Sequence, residues 1–127
     1  VNATYLRQFC FVIAAFFFSL PGFARQPTSV PEFATISAAN LPVEARRTLM
    51  LIRQGGPFPY EKDGVVFGNY EKLLPKQPRG YYHEFTVKTP GSRNRGAQRL
   101  IVGGALASSI EVYYTANHYA NFMRISE

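Results

Sequence analysis

Four stretches of this sequence combine residue types able to do chemistry. Glu84 lies within YYHEFTV (81–87), where Tyr81, His83, Phe85 and Val87 alternate with Tyr82, Glu84 and Thr86. That period of two is a strand pattern. A carboxylate in mid-strand among aromatic residues is a poor choice for a purely structural position, although spacing alone also fits the solvated face of a half-exposed sheet. Immediately downstream, residues 88–99 carry four cations, Lys88, Arg93, Arg95 and Arg99, around a glycine-containing turn. Loop cations are usually just solvated charge, but a planar guanidinium binds phosphate oxygens in pairs, and Arg95 and Arg99 flank a turn-to-strand junction where they could converge on one anion. His118 falls in YYTANHY (113–119), which reads as strand, tight turn, strand. It gains catalytic meaning only if folding brings it to Glu84 and the arginines. Last, Phe67-Gly68-Asn69-Tyr70-Glu71 is either an ordinary turn or a base pocket. In the second reading a purine stacks on Phe67, backbone N–H groups donate to its carbonyl, and Glu71 accepts from its ring N–H and amino group. That pattern of donors and acceptors selects guanine over adenine.

The elements that must position these groups follow from periodicity. Leu41, Ala45, Leu49 and Ile52, with Thr48 beside them, share one helical face, and Arg46, Arg47 and Arg53 fall mostly on the other. Asn40 suits the cap, Pro42 the first turn, and Gly55-Gly56-Pro57 the end. Short strands are expected at Gly64–Phe67, Tyr81–Val87, Arg99–Val102, Glu111–Thr115 and Phe122–Ile125, with a loop over Gly103–Ser109. One helix followed by about five strands implies an α+β fold, an antiparallel sheet with the helix packed on one face.

The chain has 127 residues, 46% of them hydrophobic and 15% aromatic, enough for one core and against wholesale disorder. Residues 1–24 differ from the rest. Arg7 is their only charge, the apolar run FCFVIAAFFF (9–18) follows it, and Pro21-Gly22 interrupts before small residues at Gly22 and Ala24. That is the layout of an export signal peptide cut after Ala24. The apolar run is about half of the roughly 20 residues a spanning helix needs, which disfavours a membrane anchor, and a buried N-terminal helix is the other alternative. Residues 25–38 then form a Pro/Ser/Thr-rich flexible arm, and 39–127 the folded domain. Cys10 leaves with the leader, so the mature protein holds no thiol and no disulfide framework. Two histidines and one cysteine make no zinc cluster, so no metal and no cofactor are expected. A net charge of +6 favours an anionic partner: nucleic acid, a membrane surface or an acidic protein.

Placed in order, the motifs resemble a known family. They are Gly56-Pro-Phe-Pro-Tyr60, Asp63-Gly-Val-Val-Phe67, Asn69 with Glu71, Leu74-Pro75, Gly80 to Val87, Thr89-Pro-Gly91, Arg95-Gly96 with Arg99, and Tyr113-Tyr-Thr115 with His118-Tyr119. Together they resemble the guanyl-specific microbial ribonucleases, in particular the ribonuclease Sa branch, with barnase a more distant relative. The resemblance runs from about Leu41 to Ile125. It implies the microbial ribonuclease fold, Glu84 as general base, His118 as general acid, and Arg95 and Arg99 as phosphate-binding cations. It places the guanine site on Phe67, Gly68, Asn69, Tyr70 and Glu71, with Tyr119 walling it. The implied activity is cleavage of single-stranded RNA 3′ to guanosine through a 2′,3′-cyclic phosphate, without a metal.

Departures from the family pattern also follow. The ribonuclease Sa branch ties its ends with a disulfide, and Ser37 stands where its first cysteine would be. Tyr70 replaces an arginine beside the guanine site, and Asn117 replaces an aspartate before the histidine. The resemblance further implies a monomer, no membrane in the mature form, and an acidic barstar-like protein inhibitor as a partner. A non-catalytic module binding RNA or another polyanion, and an exported antibacterial toxin, are the competing readings. A paired acid and base argues against the first.

Overall fold

The computed structural model describes Gly22, residues 32–108 and residues 111–127. The expected leader, Gly22 apart, and residues 25–31 of the expected arm lie outside the described residues. The helix α1 spans Val43–Gln54, with Ala45, Thr48, Leu49 and Ile52 buried and Arg46, Arg47 and Arg53 exposed. Its start corrects the expectation for Asn40. A proline ring pushes the residue before it out of the helical region, and Leu41 sits at φ −62°, ψ 149°. Pro42 therefore takes the cap position, where it makes no side-chain bond. Asn40 instead closes a single 3₁₀ turn, Ala38–Asn40, capped by the Ser37 hydroxyl. At the other end Gly55 adopts the left-handed conformation, φ 79°, and its N–H returns to the Ile52 carbonyl.

Five strands form one sheet: β1 Ala34–Ser37, β2 Tyr82–Thr86, β3 Arg99–Gly103, β4 Glu111–Thr115 and β5 Met123–Ser126. Their order is β1-β5-β4-β3-β2, antiparallel throughout except for the parallel pair β1·β5. The α+β architecture and the strand count agree with the sequence reading, but two memberships differ. Ala34–Ser37, expected in the flexible arm, is an edge strand in register with Met123–Ser126. Gly64–Phe67, expected as a strand, contributes only a bridge between Val66 and His83. Gly64 at φ 86° breaks the extended run, and Val65 and Val66 stay exposed on the sheet's outer margin. The segment still hydrogen-bonds along β2: Glu84 N–H donates to the Val65 carbonyl at 2.9 Å and Phe67 N–H to the Tyr82 carbonyl at 2.8 Å.

Register divides the sheet into two unlike faces. Phe85, Val87, Leu100, Val102, Val112 and Tyr114 pack with Leu41, Ala45, Leu49 and Ile52 of α1 in the main core. On the opposite face the cross-strand rows are Thr86–Arg99–Thr115 and Glu84–Ile101–Tyr113. A second cluster of Leu74, Tyr82, Ile101, Tyr113 and Phe122 seals that face at one end. The helix thus stiffens the sheet from behind, while the rows bearing Glu84 and Arg99 face a side that no helix among the described residues covers.

Candidate active site

Glu84 is 9% exposed, so the solvated-face reading is set aside by the fold. Both of its carboxylate oxygens accept hydrogen bonds. Arg95 Nη2 donates to Oε1 at 3.3 Å, and the Tyr119 hydroxyl donates to Oε2. A carboxylate largely removed from water needs such partners, or burial would cost several kcal/mol.

The basic loop reaches Glu84 because of its own turn chemistry. Asn94 Oδ1 accepts from Gly96 N–H at 2.8 Å and from the Ser92 hydroxyl at 2.8 Å. Gly96 sits at φ 67° with Thr89 so close that a β-carbon there would run into the threonine side chain. Folded back in this way, the loop lets Arg95 Nε donate to Thr86 Oγ1 at 2.8 Å while Nη2 faces the carboxylate. Arg99 is 2% exposed, and its Nη1 donates to the carbonyls of Gly96 at 2.9 Å and Gln98 at 2.8 Å. Its buried Nε has no hydrogen-bond partner among the described residues. An unpaired buried donor on a cation is a site prepared for an anion. Lys88 and Arg93 stay exposed and join none of these contacts.

Thr115, at the end of the row it shares with Arg99, builds the turn that carries His118. Its hydroxyl oxygen accepts from Tyr119 N–H at 3.2 Å and Asn117 N–H at 3.4 Å. His118 and Tyr119 both adopt left-handed backbone, φ 54° and 68°, a conformation uncommon outside glycine. The His118 N–H donates to the Ala97 carbonyl at 3.0 Å, tying this turn to the arginine loop. The exposed imidazole lies against the Tyr119 ring, centroids 4.7 Å apart. His118 and Glu84 are therefore joined through Tyr119 rather than by a bond of their own.

A hollow of about 320 Å³ opens beside Glu84 and Tyr119, lined by Phe67, Gly68, Asn69, Tyr70 and Glu71. Val66, Leu73 and Phe122 complete its wall. The Asn69 side chain is spent on the loop itself, donating to the Leu74 carbonyl at 2.9 Å and accepting from Leu74 N–H at 3.1 Å. It faces the hollow as backbone and brace. Tyr70 is 81% exposed, yet its ring lies over Gly68, where a β-carbon would stand 2.5 Å from the ring. Glycine at 68 is what lets that ring lie down.

Burial, followed by the hydrogen bond to Glu84 and the Glu84 charge, pushes the Tyr119 phenol up to about 12, against the pull of Arg99. Burial first, then Glu111, also raises Tyr82 and Tyr113 well above the ordinary tyrosine range. Folding thus favours three protonated phenols over an unfolded reference of 10.0. Their contribution to stability is complete below pH 10 and is lost as pH rises through the folded values. The expected result is a melting temperature insensitive to these phenols below pH 10 that falls steeply above it, with phenolate absorbance appearing as structure is lost. Phenolate formation near pH 10 in a chain that stays folded would contradict this.

The structure brings every expected site residue to one side of the sheet. Strand alternation alone pointed to the Glu84–Thr86 face. Thr86, Ala97 and Thr115 have no role in the sequence reading, because threonine and alanine carry no chemical signal until register places them. Among the described residues no group of three or more His, Cys, Asp or Glu could hold a metal ion. No helix among them is long and apolar enough to cross a membrane.

Known proteins resemble this chain in sequence and in fold. A family model of ribonucleases matches residues 24–126. The chain is 54% identical over 97 residues to guanyl-specific ribonuclease Sa3 of Kitasatospora aureofaciens, covering 76% of this chain and 67% of that protein. Against guanyl-specific ribonuclease Sa of the same organism the identity is 54% over 93 residues, 73% of this chain and 94% of that one. Among solved structures, ribonuclease Sa2 in complexes with mononucleotides superposes with a TM-score of 0.71 at 47% identity, covering 76% of this chain and 97% of that one.

Proposed function

The chain belongs to the guanyl-specific microbial ribonuclease family, and from that premise we propose how its own residues cleave RNA after guanosine. The observation that carries the reading is the continuity of the hollow over Phe67–Glu71 with the carboxylate of Glu84. A guanine held there on Phe67 and read by Glu71 delivers its ribose 2′-OH and 3′-phosphate to the Glu84 side. Glu84 takes the 2′-OH proton, and the oxygen attacks phosphorus in line. His118, protonated, gives its proton to the departing 5′-oxygen, leaving a 2′,3′-cyclic phosphate. In the second step His118 takes a proton from water, water oxygen bonds to phosphorus as the P–O2′ bond breaks, and Glu84 returns its proton to O2′. A carboxylate and an imidazole can start in the opposite protonation states this requires near neutral or mildly acidic pH. Arg95 and Arg99 stabilise the charge that grows on the phosphorane oxygens. Tyr119 orients Glu84 and walls the pocket.

The test compares the dinucleotides GpU and ApU in excess EDTA. Guanosine 2′,3′-cyclic phosphate is expected from GpU, with little turnover of ApU. No cyclic product from GpU would overturn the reading, and equal cleavage of both would remove only the base preference. Tyr70, exposed at the rim of the hollow, offers the base a second aromatic face beside Phe67, so Tyr70→Ala should raise KM for GpU by roughly 5- to 100-fold, the range of one base–aromatic stack. An unchanged KM would take Tyr70 out of the site.

Residues 1–24 act as an export leader in this reading, and the mature chain works outside the cell as a monomer. The basic surface would accept an acidic inhibitor over the active site, steered by charge. Titration with a barstar-like protein should then suppress GpU cleavage stoichiometrically, and no suppression at saturating inhibitor would remove that partner.

A further inference from the structure

A second hollow, about 240 Å³, lies beside the guanine pocket and carries no assigned role. It shares Phe67, Gly68 and Asn69 with that pocket, and adds Lys72, Lys76, Gln77, Pro78, Arg79 and Tyr82. Three cations thus line one cavity, and no carboxylate does. Lys72, Lys76 and Arg79 are exposed, and none is in an ion pair among the described residues. Arg79 has only a neutral partner, donating from Nη1 to the Tyr70 hydroxyl at 3.4 Å.

The segment that carries them is anchored rather than loose. Leu74 is 2% exposed and doubly bonded to the Asn69 amide. The Tyr82 hydroxyl, rising from the sheet, donates to the Pro75 carbonyl at 2.6 Å. Lys72 closes the turn in left-handed backbone, φ 56°, with its N–H on the Asn69 carbonyl at 3.0 Å. Cations held on a pinned backbone around a hollow lose less freedom on binding an anion than a solvated run would.

We propose that Lys72, Lys76 and Arg79 form a phosphate subsite for the RNA backbone on the 5′ side of the selected guanosine. The proposal rests on the guanine pocket lying over Phe67–Glu71. Direction follows from the lining. Phe67, Gly68 and Asn69 line both hollows, whereas Glu84, Tyr119 and Phe122 line the guanine pocket alone, so the second hollow adjoins that pocket away from its Glu84 end. The scissile phosphate hangs from the guanosine 3′-oxygen on the Glu84 side. An anion in the second hollow is separated from it by the nucleoside itself, and the chain that leaves in that direction leaves through O5′.

The experiment compares GpU, pGpU and UpUpGpU in wild type and in the Lys72→Asn/Lys76→Gln double variant. Asparagine tolerates the left-handed backbone at 72, so the turn is kept. Wild type is expected to show KM values about 3- to 10-fold lower for the two 5′-extended substrates than for GpU, at similar kcat. Its KM for UpUpGpU should also rise more steeply with salt, by roughly 0.7 log units per log unit of salt for each phosphate neutralised. The double variant should match wild type on GpU and lose both the KM advantage and the extra salt slope. Equal KM for GpU and UpUpGpU in wild type overturns the subsite. So does an advantage that persists in the variant, which would assign these cations to another anion, an acidic protein included. Oligonucleotides with 2′-deoxyguanosine at the cleavage position lack the nucleophile, and the same comparison is then read as binding. The subsite is thereby judged even if GpU is not cut, and the two failures stay distinct.

Discussion

Glu84→Gln is expected to lower kcat/KM on GpU by about 10²–10⁴ while the fold stays intact, since the exchange keeps the side chain's shape but removes its charge and its ability to take a proton. Its neighbours give a second readout. The charge and the hydrogen bond of Glu84 are two of the three causes that raise the Tyr119 phenol toward about 12. Removing the charge should bring Tyr119 down toward the ordinary tyrosine range. A spectroscopic alkaline titration follows that change independently of turnover. Wild-type turnover in this variant would overturn the role of Glu84. Unchanged Tyr119 titration would contradict the geometry that places the two groups in contact.

His118→Asn should cost a similar factor, about 10²–10⁴, but with a different dependence on the leaving group. Asparagine suits the left-handed backbone at 118, so the turn held by Thr115 and Ala97 is retained and the loss reports the imidazole alone. A nucleoside 5′-oxygen leaves poorly without a proton, whereas a nitrophenolate leaves well. The variant should therefore lose far less on guanosine 3′-(4-nitrophenyl phosphate) than on GpU, and Glu84→Gln should lose on both. Equal losses by His118→Asn on the two substrates would remove the acid role and leave His118 a structural part of the turn.

The contrast between these residues also shows what could be read before the fold was known. Glu84 was legible because strand alternation is strict: a period of two places it opposite Phe85 and Val87 whatever the sheet does. The face of α1 was legible for the same reason at a period of 3.6. His118 was not legible by pattern. Its place depends on two consecutive non-glycine residues in left-handed backbone and on a bond to Ala97, none of which leaves a compositional trace. Only the family resemblance pointed to it. The strand β1 was hidden because Ala34–Ser37 follows a Pro/Ser/Thr-rich stretch and its partner lies at the far end of the chain. Asn40 misled because its capping propensity is local, while Pro42, two residues on, forbids a helix at Leu41. The Gly64–Phe67 run has strand composition but only one neighbour, so it stays a fringe of β2 rather than a member of the sheet.

The parallel pairing of β1 with β5 bears on when this molecule becomes dangerous to RNA. Synthesis proceeds from the amino end, so Ala34–Ser37 emerges long before Met123–Ser126, the one strand it pairs with. The turn bearing His118 is likewise anchored between β4 and β5. A chain synthesised only as far as β4 lacks both the closing strand and the fixed seat of His118. Completion of the sheet, and of the turn that seats His118, waits for the last of its five strands.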